Sequence, residues 1–90
     1  MNTIDKIDRY LNEAGNFEIG DYIKQVGSDF ETYGVIIKKL KNGSYKAKVF
    51  VSYSGSVAGK AVQKSLSGWY PPPVKIDKSD IPLKILKKIG

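Results

Sequence analysis

Residues 35–51, VIIKKLKNGSYKAKVFV, decide the fold. Two runs rich in β-branched and apolar residues flank Asn42-Gly43. That dipeptide is the strongest short hairpin signal, because a two-residue type I′ turn needs positive φ at both central positions. A two-residue loop dictates the pairing: Lys41 faces Ser44, Leu40 faces Tyr45, Lys39 faces Lys46 and Ile37 faces Lys48. Side chains alternate across a strand. One face of the predicted hairpin then carries Ile36, Leu40, Tyr45, Ala47, Val49 and Val51. Only Lys38 interrupts it, and its stem can reach out from the edge of a core. The other face carries Lys39, Lys41, Lys46 and Lys48 near the tip, and Tyr33, Val35, Ile37 and Phe50 further down. Lys39 directly opposite Lys46 costs a few tenths to ~1 kcal/mol, so the cluster calls for an explanation.

Outward from the hairpin, the signals are mostly short strands. Gly20-Asp21 is a turn into a strand over 21–26, and GSDFETYG (27–34) reads as a loop. SYSGSVAGKAVQKSLSG (52–68) reads as a long loop leading into a strand, with a short helix capped by Ser56 as the other solution. The three prolines of GWYPPPVKI force an extended path, and 74–76 forms a strand. KSDIP is a single helical turn. In LKILKKI the alternation of Leu83 and Ile85 favours a last strand over a helix. The N-terminal residues differ: Ile4, Ile7, Leu11 and Ala14 recur at steps of three and four, and Gly15 supplies a stop, so 1–15 reads as an amphipathic helix.

Ninety residues suit one domain with one modest core. The chain has no cysteine and no histidine, which removes thiolate metal sites, the commonest metal ligand and the commonest general base. The longest apolar runs are far too short to span a bilayer. The first residues lack a basic start followed by an apolar stretch, so no signal peptide is expected. A soluble, cytoplasmic protein without metal or cofactor is the expectation. Charge is the unusual feature. The net charge is +6, yet residues 1–31 hold seven acids against Lys6, Arg9 and Lys24, whereas residues 32–76 hold eight lysines and no Asp or Glu. Such a basic body needs compensation from the acidic head, from counterions or from a polyanion.

The order of these signals resembles an SH3-like small β-barrel of the KOW and Tudor kind. The residues that carry the resemblance are EIGDYIKQV, YGVIIKKLKNGSYKAKV and VKIDKSDIPLKIL. In such barrels a Gly-Asp turn opens the first strand and a Tyr-Gly starts the second. A tight hairpin joins the second and third strands, and a one-turn helix with a Ser-Asp pair precedes the last. Gly20-Asp21, Tyr33-Gly34, Asn42-Gly43 and Ser79-Asp80 follow in that order. The resemblance implies a mainly β (α+β) fold: a short N-terminal helix over 1–15, then a five-stranded barrel over 16–90 with a long loop at 52–73. Members of this class bind RNA, DNA, proline-rich peptides, modified tails or protein surfaces, so the resemblance leaves the ligand open.

The candidate ligand-contacting residues are Lys39, Lys41, Lys46 and Lys48, extended by Lys60 and Lys64, for successive phosphates. Tyr33, Phe50, Trp69 and Tyr70 are candidates for stacking on bases. Each set has an ordinary role too: a lysine face keeps a small protein soluble, and ten aromatics fill a small barrel. The chain uses fourteen lysines and one arginine. Lysine is a point charge, whereas arginine is a planar fork that reads guanine edges, so the expected contacts are backbone-directed with little sequence specificity. GSVAGK (55–60) is no phosphate-binding P-loop: its glycine spacing is one residue short, and Ala61 stands where Ser or Thr must hold magnesium. No carboxylate dyad is evident, and an enzyme is not expected. The other expectation is a protein-interaction module, such as a small inhibitor or accessory subunit docking on a larger acidic protein, with Ile4, Ile7 and Leu11 as anchors. A monomer or a weak homo-oligomer is consistent with either.

Overall fold

The computed structural model describes residues 17–90. The helix expected over 1–15, with Ile4, Ile7 and Leu11, lies outside the described residues. The rest is mainly β: β1 (Tyr22–Val26), β2 (Phe30–Lys39), β3 (Tyr45–Tyr53), β4 (Val62–Ser65) and β5 (Val74–Ile76), then a 3₁₀ turn (Lys78–Asp80) and helix α1 (Leu83–Ile89). All neighbouring strands are antiparallel, in the order β4-β3-β2-β1-β5. β4 and β5 lie at opposite edges and do not pair with each other, so the sheet is open. The expected barrel is therefore not closed. The physical reason lies at the C-terminus, where the chain forms a helix instead of a final strand that would join the edges.

The hairpin forms, but with a different loop. Leu40 N–H donates to Ser44 O (2.9 Å) and Gly43 N–H donates to Leu40 O (3.2 Å), which leaves Lys41-Asn42-Gly43 as a three-residue loop. Among the described residues outside glycine, only Ser54 has positive φ; Asn42 does not, and Gly43 alone takes the left-handed conformation, at φ 84°. This is a type I turn followed by a left-handed glycine, the usual three-residue hairpin. The Asn42 side chain serves the loop differently, accepting from Ser44 N–H through Oδ1 (3.0 Å).

Adding one residue to the loop shifts the register by one, and an uncorrected shift would turn Ile36 to the wrong face. A β-bulge corrects it. Lys39 pairs with Tyr45 and Lys38 with Lys46, but the next pair is Ile36 with Ala47, so Ile37 is the extra residue. Beyond the bulge, Gly34 opposes Val49 and Tyr33 opposes Phe50. Glycine is required at 34. A Cβ there would lie 2.7 Å from Val49 Cγ1 and 3.0 Å from the Lys48 carbonyl oxygen.

Both faces of the sheet are buried, which explains the unbroken apolar runs Val35-Ile36-Ile37 and Val49-Phe50-Val51. On the back face, Ile23, Ile36, Ala47 and Val49 pack with Phe17 and Leu66, and Tyr45 and Trp69 lie against them. On the front face, Tyr33 and Phe50 pack with Ile81, Ile85 and Ile89. The step of four from Ile85 to Ile89 places these two residues on one side of α1, Ile81 joins them from just before the helix, and Leu83 is left 72% exposed. The strand expected at LKILKKI is thus corrected to a helix. The Leu83/Ile85 alternation is incidental, and burial of the isoleucines, worth about 1.5–3 kcal/mol each, holds a helix too short to persist alone. The loop expected at 27–34 is also shorter, because Phe30 already begins β2. Within 52–73, β3 runs on to Tyr53 and β4 forms the expected strand.

Candidate nucleic-acid interface

The bulge at Ile37 decides which lysines share a face. Tipwards of it, Lys38 stands opposite Lys46, and Lys46 and Lys48 alternate with buried Ala47, so Lys38, Lys46 and Lys48 all belong to the front face. Lys39 is moved to the back with Tyr45. There its Nζ lies 2.9 Å from Glu18 Oε1. The hydrogen bond from Lys39 to the Glu18 carboxylate, reinforced by its charge, holds the ammonium pKa above the usual lysine range. Lys41 sits in the exposed loop tip. The expected set of Lys39, Lys41, Lys46 and Lys48 on one face is therefore corrected to Lys38, Lys46 and Lys48. Lys38, which a two-residue loop would set in the apolar face, is carried to the front by the bulge.

A fourth cation joins from α1. Lys88 Nζ lies 5.2 Å from the Phe50 ring centroid and donates to Gly59 O at 2.7 Å. Phe50 is two residues beyond Lys48 on the same face of β3, so Lys46, Lys48 and Lys88 follow one another along that strand. Lys60 is the exposed neighbour of Gly59. Lys88 reaches Phe50 because the C-terminal residues form a helix and not the expected strand. Among the described residues, the three ion pairs engage Lys24 with Glu31, Lys39 with Glu18 and Lys75 with Asp21, and none involves the front-face set. The nearest acid in the pairing scheme, Glu31, opposes Ser52 at the far end of the sheet.

Tyr33 and Phe50 do not form an open platform. They are 4% and 1% exposed beneath α1, and Lys88 occupies the outer face of the Phe50 ring. Tyr33 is further held by Lys24, 5.4 Å from its ring centroid, and its hydroxyl donates to Glu31 Oε1 at 3.2 Å. Trp69 is half-buried against the back-face core, and Tyr70 is 90% exposed. Lys64 is on the opposite side from Lys46 and Lys48, because it pairs with Ala47 while Ser65 and Gln63 pair with the two lysines. The structure thus brings together Lys46 and Lys48 from the expected set, adds Lys38 and Lys88, places Lys60 at the border, and leaves Lys39, Lys41 and Lys64 elsewhere.

No group of three or more metal-ligating side chains occurs among the described residues. No helix among them is long and apolar enough to cross a membrane. Comparison with protein-family models, with curated proteins and with solved structures finds no match.

Proposed function

We propose that this protein is a non-enzymatic nucleic-acid-binding module that takes the phosphate backbone on its front face with little sequence specificity. The observation that supports the reading is the run of Lys38, Lys46, Lys48 and Lys88 along β3, which no carboxylate of the described residues neutralises. Lys38 directly opposite Lys46 is an unfavourable pair in isolation, and a bound polyanion converts that repulsion into attraction. Four contacted phosphates give a fall of log affinity with log salt at a slope of roughly −3 to −4. The test is anisotropy with DNA, RNA and heparin across a salt series. The double substitution K46E/K48E abolishes binding and leaves the fold intact, because neither side chain belongs to the front-face core. Unchanged affinity in that variant refutes the reading.

A second reading is favoured by the open sheet. β4 is an edge strand, exposed along its whole length, with its outer hydrogen-bonding groups unpaired by another strand. An acidic protein could add a strand there. A single stoichiometric protein partner that survives nuclease and ~0.5 M salt, where screening of free charges is strong, favours this alternative.

A further inference from the structure

On the back face, at the end of the sheet away from the hairpin loop, β2 and β3 form a groove of about 250 Å³ with three aromatic side chains in its wall. Phe30 and Tyr53 are directly paired, with ring centroids 6.0 Å apart and planes tilted by 49°. Trp69 also lines it. Gln25 and Thr32, both buried, bring polar atoms to the lining, and the Gln25 amide is fixed in place by donating to Pro71 O at 2.8 Å. Tyr53 remains 61% exposed although it ends a strand within the fold. One charged residue lines the groove, Lys64, and its charge is positive.

Aromatic walls, a few fixed polar atoms and one cation suit a flat heterocycle carried by an anion. We propose that this groove receives one unstacked base of a single-stranded nucleic acid, so that the protein selects single strands over duplex. The inference rests on the polyanion reading of the front face. β4 provides the path between the two sides. Its Gln63 and Ser65 stand beside Lys48 and Lys46 at the front, whereas Lys64 faces the groove at the back. A flexible single strand can turn over this outermost, exposed strand. A duplex, whose bases are stacked and paired, offers no base to the groove.

Trp69 is the single tryptophan of the chain and lines the groove, so its emission reports occupancy. Oligothymidylate is expected to quench it on binding. Heparin and duplex DNA are expected to bind, as seen by anisotropy, without quenching. Tyr53→Ala, a largely exposed position, is expected to weaken oligothymidylate about tenfold, the effect of one lost base stack, and to leave heparin affinity unchanged. Dispersed amide spectra show that the variant is folded. Oligothymidylate binding with unaltered Trp69 emission and no effect of Tyr53→Ala overturns the inference and leaves the front-face reading standing. Loss of heparin and oligothymidylate binding in K46E/K48E, with Tyr53→Ala affecting only the latter, supports both. Quenching by an uncharged proline-rich peptide but not by oligothymidylate overturns the base assignment in favour of a peptide.

Discussion

Gly34 and Lys39 show how single positions carry the arrangement. Gly34 lets β2 and β3 approach where Val49 crosses it, and the close neighbours of a new Cβ are a branched side chain and a backbone oxygen, neither of which swings aside cheaply. Gly34→Ala is expected to destabilise by about 1–3 kcal/mol through overpacking, less the few tenths to ~1 kcal/mol that alanine recovers from the unfolded chain. Urea unfolding measures it, and a change below about 0.5 kcal/mol would show that the strands have room. Lys39 is informative through its proton. Its pKa is raised in the folded state by Glu18. Its contribution is therefore complete below the ordinary lysine value and fades as pH rises through the raised one. Lysine side-chain NMR is expected to show Lys39 titrating above the ordinary lysine value, and Glu18→Gln to bring it back toward that value. Indifference to Glu18→Gln would mean that the contact does not persist in solution.

Among the elements, the bulged hairpin governs which lysines share the front face. A three-residue loop alone would set Ile36 against Lys48, and one extra residue at Ile37 restores Ile36 to Ala47. Removing that extra residue leaves regular pairing with the same faces, since Lys38–Lys46 and Ile36–Ala47 become consecutive pairs. Deletion of Ile37 is accordingly expected to leave a folded protein with dispersed amide spectra. Deletion of Val49 from β3, which sets Phe50 against Gly34 on the back face or turns the loop half of β3 over, is expected to unfold it. Equal tolerance of both deletions would contradict this register. Helix α1 depends on the hairpin in turn. It is short and persists because Tyr33 and Phe50 supply the floor on which Ile81, Ile85 and Ile89 rest.

For the whole molecule, the decisive quantity is where its positive charge lies unneutralised. Thirteen lysines in the described residues meet six acids, and none of those acids forms an ion pair with Lys38, Lys46, Lys48 or Lys88. Lysines of the same hairpin therefore differ in effect. Lys46→Gln is expected to reduce the salt slope for a nucleic acid by about one, the signature of one lost phosphate contact. Lys39→Gln is expected to leave it unchanged, because Lys39 is already engaged by Glu18 on the other face. Equal reductions in the two variants would place the ligand at the hairpin tip instead of along β3.

The hairpin, its turning point at Asn42-Gly43, the first and fifth strands and the 3₁₀ turn were all legible in the sequence. So was the excess of lysine without acid between residues 32 and 76. These are local properties: alternation, turn chemistry and composition act over a few residues. Three others were not legible. The loop took three residues, a bulge carried Lys38 to the front and Lys39 to the back, and α1 covered Tyr33 and Phe50. Each depends on residues distant in the chain, because the register that wins is the one that lets both faces of the sheet bury their apolar side chains. Amino-acid order thus determined that this protein presents lysines on a hairpin. Tertiary packing decided which of them stand together, since a one-residue offset exchanges the two sides of a strand.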